Sequence, residues 1–120
     1  MSQILLVGLG GAIGAIGRYG LGVAAARLLG LGFPWGTLIA NVLGGLAMGV
    51  LAARIGPEHE TQRLLFGVGM LGGFTTFSTF SLESVRMLGA EPRMALVYIG
   101  SSLVFSIGAC WLGLWFGRPS

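Results

Sequence analysis

Apolar side chains run along almost the whole of this chain, and a few short polar stretches cut it into four pieces. The first run extends from Ile4 to about Leu29 and is interrupted only by Arg18 and Arg27; Gly30-Leu31-Gly32-Phe33-Pro34 ends it. The second runs from Trp35 to Ala53. About 20 residues rising 1.5 Å each cross a hydrocarbon core of roughly 30 Å. Arg54-Ile55-Gly56-Pro57-Glu58-His59-Glu60 is the one polar loop of any length. The third run is Leu64 to about Leu88, the fourth Met94 to about Phe116, and Gly89-Ala90-Glu91-Pro92-Arg93 joins them. Short connections make neighbouring runs antiparallel. The pattern predicts an all-α membrane protein, one domain over residues 1–120, with four transmembrane helices near 4–29, 35–53, 64–88 and 94–116. Met1-Ser2-Gln3 carries no positive side chain, so the first run reads as a span and not as a cleaved signal peptide. Trp35, Trp111 and Trp115 fall at run ends, where aromatic belts sit.

Composition sharpens this picture. The chain is 54% hydrophobic and 9% charged, with a mean hydropathy of +0.87. A soluble domain carries roughly 25% charged residues, so a soluble enzyme, a free DNA-binding domain and a disordered chain are all excluded. The net charge of +3 comes from arginines and glutamates alone. The arginines stand singly, without the basic patch that nucleic acid requires, and read as membrane flanks. Cys110 has no partner for a disulfide or a metal and reads as a small apolar filler. The 23 glycines follow no collagen period; in an apolar chain they let helices approach closely.

Charge also bears on orientation. With four spans, Arg54, Arg63 and Arg118 lie on one side, and Arg27, Arg86 and Arg93 on the other. The positive-inside rule then gives no direction. Either an unseen signal fixes the topology, or the chain inserts both ways and assembles as an antiparallel, dual-topology homodimer. The even count favours the second.

Several polar residues fall where hydrocarbon should reject them. Arg18 stands within the first span, at a cost of about 2.5–3.5 kcal/mol if central; it reads as an anion attractor at a vestibule or as an interface anchor. Asn41 lies in the second span with Gly45 and Gly49 at helical spacing, as a bundle-holding hydrogen-bonder or as a donor to a passing anion. The third span carries Gly72-Gly73 near its centre, and five of the next residues, Thr75, Thr76, Ser78, Thr79 and Ser81, bear hydroxyls. A break there frees backbone groups that protein or an aqueous cavity must satisfy. Phe77 and Phe80 are three apart and share a helix face; they read as packing, or as rings whose positive edges meet a small anion. Glu83 sits at a pore mouth, at an interface, or paired with Arg86. Tyr98, Ser102 and Ser106 recur every four residues as a hydroxyl stripe, bonded back to their own helix or facing the Phe77/Phe80 helix. No nucleophile–base pair, phosphate loop or metal cluster is visible, so nothing argues for an enzyme.

Three segments together resemble the Fluc (CrcB) family of fluoride channels. They are Gly10-Gly11-Ala12-Ile13-Gly14-Ala15-Ile16-Gly17-Arg18-Tyr19, Gly36-Thr37-Leu38-Ile39-Ala40-Asn41 with Gly44 and Gly49, and Gly69-Met70-Leu71-Gly72-Gly73-Phe74-Thr75-Thr76-Phe77-Ser78-Thr79-Phe80-Ser81-Leu82-Glu83. The resemblance covers nearly the whole chain, and the third segment is the most specific. It implies a passive channel exporting fluoride, in the inner (plasma) membrane of a prokaryote as a multi-pass protein. It implies an antiparallel homodimer with two pores along the interface and a third helix broken at mid-membrane. Carried over, Asn41 donates to fluoride, Phe77 and Phe80 supply ring-edge contacts, and Ser78 and Thr79 belong to the polar track. Tyr98, Ser102 and Ser106 line the path, Arg18 sits at a vestibule, and a structural sodium ion (Na+) is held by the carbonyls of Gly72 and Thr75 from both subunits. Gly45 and Ala47 depart from the family's usual Ser and Phe. Two other readings compete. A small multidrug exporter needs a membrane-embedded acid, for which Glu83 is the sole candidate; a structural subunit of a larger complex explains the glycines but not the hydroxyl-rich run.

Overall fold

A computed structural model describes residues 2–119, so Met1 and Ser120 of the expected domain lie outside the described residues. The chain is helical throughout: α1 (Gln3–Leu29), α2 (Trp35–Arg54), α3 (residues 60–74), α4 (Ser78–Ala90) and α5 (Pro92–Phe116). The boundaries follow from local chemistry. Gly30 ends α1 with φ 86°, a left-handed conformation that glycine alone adopts without strain, and its N–H closes on the Ala26 carbonyl. Pro92 opens α5, where its fixed φ suits a first helical residue and its missing N–H is not needed.

Four stretches are long and apolar enough to cross a membrane: Gln3–Leu29, Trp35–Arg54, Glu60–Ala90 and Pro92–Phe116. The molecule is 47 Å long, and a bilayer with its headgroups is about 40–45 Å thick. Apolar side chains point outward: Ile16 is 71% exposed, Leu28 82% and Ile107 67%. The interior is small instead. Gly10, Gly14, Ala40, Gly44, Gly49, Ala95 and Gly113 are buried, and Tyr98 is the one large side chain fully enclosed among the described residues. This distribution is the reverse of a soluble protein's and suits lipid, where helices associate through close backbone packing.

Two seams carry that packing. Gly10 and Gly14 of α1 lie against Gly69 and the Met70 backbone of α3, Gly11 lies against Gly73, and a Cβ at Gly14 would strike the Met70 carbonyl. Gly45 and Gly49 of α2 lie against the carbonyls of Ser106 and Cys110 in α5, while Gly113 of α5 meets the Leu46 carbonyl in return. Gly45 has no room for a side chain: a Cβ there would come 2.6 Å from the Ser106 carbonyl oxygen.

The third span is irregular in a way that corrects the sequence reading. From Arg63 to Leu71 it winds as a π-helix, a rare form, and Gly72 N–H reaches back five residues to the Gly67 carbonyl. Gly72 and Gly73, expected to interrupt the helix, are themselves helical. Helical geometry stops after Phe74, Thr75 is extended (φ −86°, ψ 159°), and helix resumes at Ser78. Gly73 packs against Gly11 of α1, and the interruption falls after both glycines, where a side chain of α2 takes hold of the backbone. Phe77 caps the N-terminus of α4 with helical dihedrals (φ −93°, ψ −31°), its carbonyl accepts the Ser81 N–H at 2.8 Å, and its ring stands beside that of Phe80.

Candidate functional site

The residues between α3 and α4 are organised by side chains from other helices. Asn41 pairs with both main-chain groups of Thr76: its Oδ1 accepts from the Thr76 N–H at 2.8 Å, and its Nδ2 donates to the Thr76 carbonyl at 3.0 Å. One Nδ2 proton remains. The Thr76 hydroxyl accepts from the Thr79 N–H at 3.2 Å, filling one of the donors that a helix start leaves open. From α1, Arg18 Nε donates to the Gly73 carbonyl at 3.4 Å, at the carbonyl end of α3. Thr75 turns its hydroxyl back to Leu71 at 3.0 Å.

These bonds leave two carbonyls without their helical donors. In a continuous helix the Thr76 N–H would serve the Gly72 carbonyl, and the Thr79 N–H would serve that of Thr75. Both donors go elsewhere, to Asn41 Oδ1 and Thr76 Oγ1. The two carbonyls that the family resemblance implies as cation ligands are thus among those whose helical donors are diverted. Neutral oxygen donors of this kind suit a hard monovalent cation, so the residues fit a sodium ion.

Beside the interruption lies an open groove of about 330 Å³, walled by α2, α4 and α5. Asn41, Thr76, Phe77, Phe80, Ser102 and Ser106 line it, and none of its lining residues is charged. Phe77 is 74% exposed and Phe80 is buried, with ring centroids 5.5 Å apart. Across from them, the Oγ atoms of Ser102 and Ser106 are buried and have no hydrogen-bond partner among the described residues. Other helical serines behave differently: Ser81, Ser84 and Ser101 bond back to the carbonyls of Phe77, Phe80 and Tyr98. An orphaned buried hydroxyl is costly, and a water or ion in the groove is its natural complement.

The remaining sequence-picked residues sit elsewhere. Tyr98 is enclosed between Phe33 and Phe80 and does not line the groove. Its hydroxyl donates to Glu83 Oε1 at 3.0 Å, so Glu83 pairs with α5 and not with Arg86. Glu83 lines a second recess of about 300 Å³ with Thr37 and Arg86. Arg18 and Thr79 line a third, of about 320 Å³, also with Thr37. Ser78 is exposed, 3.3 Å from the Thr76 hydroxyl.

Three participants escaped the sequence reading. Thr76 was visible only as one hydroxyl among five, since nothing local marks a partner 35 positions away. Thr37 borders two recesses but carried no signal beyond its own hydroxyl. Cys110, read as filler, lines the groove one turn beyond Ser106; the four-residue spacing from Tyr98 through Ser102 and Ser106 runs straight to it.

The family model for CrcB-like protein, Camphor Resistance (CrcB), matches residues 5–114. A Phenylobacterium zucineum protein named fluoride-specific ion channel FluC is 50% identical over 123 residues, covering 98% of this chain and 97% of that protein. Proteins of the same name are similar in Caulobacter sp. (strain K31), at 46% identity over 98% of this chain and 96% of the relative, and in Thermus thermophilus, at 45% over 98% and 96%.

Proposed function

This chain belongs to the CrcB-like family, and on that premise we propose that it is a fluoride-selective channel. It is a multi-pass protein of the prokaryotic plasma membrane, and its named relatives are ion channels, not enzymes. Fluoride leaves the cell by passive diffusion, which lowers its cytoplasmic level. Two chains assemble antiparallel, with two pores along their interface, and the interruption at residues 75–77 lies near mid-membrane.

The observation that carries this reading is the pair of orphaned hydroxyls, Ser102 and Ser106, facing Phe77 and Phe80 across an uncharged groove. Fluoride is small and holds its water strongly, so a pore must replace that water with many weak donors. The serine hydroxyls, the remaining Asn41 N–H and the positive ring edges are such donors. A fixed charge in the groove would hold the ion too long, because conduction requires entry and departure. Arg18 and Glu83 stand outside it, at recesses that serve as its mouths; Ser78 and Thr79 continue the polar track on α4, and Tyr98 fixes Glu83 and backs Phe80. The wide exposure of Phe77 and the open side of the groove support a second subunit as the missing wall, and the balanced arginines support its antiparallel orientation.

The carbonyls of Gly72 and Thr75 hold a structural sodium ion with their counterparts in the second subunit. When bound, that ion supplies fixed positive charge and ties the two interruptions together. Arg18 keeps the intervening Gly73 carbonyl occupied, and Asn41 and Thr76 keep the competing N–H donors away.

Liposomes loaded with fluoride or with chloride and carrying the purified protein test the proposal. Rapid fluoride release with chloride retained is the expected result. Well-folded protein that releases no fluoride overturns it, and equal release of chloride removes the selectivity.

A further inference from the structure

We propose that Asn41 is a positioning residue for the cation site, and that its side chain creates a carbonyl ligand there. The inference rests on the reading of Gly72 and Thr75 as cation ligands. The geometry is specific. The Thr76 N–H is the group that a helix would direct at the Gly72 carbonyl, and Asn41 Oδ1 takes it at 2.8 Å. At the same time Asn41 Nδ2 takes the Thr76 carbonyl at 3.0 Å, the acceptor to which the Phe80 N–H would turn in a continuous helix. The first regular bond across the junction is instead made from the Ser81 N–H to the Phe77 carbonyl, at 2.8 Å. One amide therefore occupies both groups through which α3 and α4 would fuse. Closure of the helix would return the Thr76 N–H to Gly72 and remove that oxygen from any cation.

Asn41 also borders the groove, and one N–H of its amide is unused. A single side chain thus touches two sites of opposite sign. Its acceptor end acts on the cation through Thr76, and its donor end faces the anion. The two functions separate by substitution. Asn41→Asp keeps an oxygen to accept the Thr76 N–H but loses both the bond to the Thr76 carbonyl and the spare donor, and adds a negative charge. Asn41→Ala loses both ends.

The test is a sodium titration of thermal unfolding on the full-length assembled protein, with N-methyl-D-glucamine replacing sodium at constant ionic strength. Wild type is stabilised by sodium. Asn41→Ala requires at least about fivefold more sodium for the same stabilisation, the equivalent of one lost hydrogen bond of ordinary strength. Asn41→Asp keeps the wild-type midpoint or a tighter one, yet passes no fluoride in liposomes. A mere loss of packing would lower the melting point in both salts and leave the midpoint in place.

If Asn41→Ala fails to assemble, the carbonyl ¹³C resonance of Gly72 in wild type answers the same question. It moves when sodium replaces N-methyl-D-glucamine, while the Thr76 amide stays protected from exchange. A wild-type midpoint in Asn41→Ala, a lost midpoint in Asn41→Asp, or a Gly72 carbonyl indifferent to sodium overturns the proposal. Fluoride release by wild type is read separately, so the channel reading stands or falls independently of this one.

Discussion

Asn41, Gly45 and Gly49 occupy successive turns of one stripe on α2, and they meet the rest of the molecule in opposite ways. Gly45 and Gly49 have no side chain, and the backbone of α5 comes in against them. The contact is backbone to backbone and tight, and Gly45 also lines the wall of the groove. Asn41, one turn earlier, reaches out with an amide and holds the backbone between α3 and α4 away from helical geometry. Where the stripe is glycine the neighbouring helix packs directly on the backbone; where it is asparagine the side chain holds the neighbouring backbone out of helical geometry. Stability and conduction need these opposite treatments, and one helix supplies both.

Overfilling a close glycine contact gives the largest effect. Gly14→Leu on the α1–α3 seam drives a side chain into the Met70 backbone. It is expected to cost about 3 kcal/mol or more, read as a fall in melting temperature or loss of monodisperse protein. The next effect lies at the edge of the open region. Tyr98→Phe removes the donor to Glu83 and leaves a carboxylate short of a partner. A loss of about 2 kcal/mol is expected, within the range for hydrogen bonds to charged groups, and chemical unfolding measures it.

Inside the groove the sign reverses. Ser102→Ala deletes a buried hydroxyl that has no partner among the described residues. Melting is expected to hold steady or to rise by the equivalent of up to about 1 kcal/mol, while fluoride release slows about fivefold, the rate equivalent of one hydrogen bond. A stability gain coupled to a flux loss is the mark of a group kept for the ion. The smallest effect belongs to Ser84→Ala, whose hydroxyl already bonds to the Phe80 carbonyl within its own helix. It changes stability by about 0.5 kcal/mol or less, and leaves flux unaltered in the same liposome assay.

The parts of this contrast were unequally legible along the chain. Four long apolar runs declare themselves because hydrocarbon leaves the backbone few alternatives, and glycines four apart announce close seams. The hydroxyl-rich run after Gly73 and the stripe from Tyr98 to Ser106 also stand out, because polar groups in an apolar stretch need a reason. The interruption was harder to place. Gly72 and Gly73 look like helix breakers, yet both are helical and Gly73 packs against Gly11 of α1, and the backbone parts where Asn41 reaches it. That pairing joins residues 35 positions apart, which hydropathy and spacing do not encode. Which serines bond back to their own helices depends on rotamers and neighbours, and so do the separate assignments of Ser101 and Ser102. Cys110 was legible as the next rung of the stripe, but its apolar character masked it.

The most direct test is the fluoride current through planar bilayers carrying the Ser102→Ala/Ser106→Ala double variant, set beside wild type and Ser84→Ala. With both hydroxyls gone, the current is expected to fall at least about tenfold while the protein stays folded and Ser84→Ala conducts as wild type. An undiminished fluoride current through the folded double variant would contradict the assignment of this groove as the ion's path.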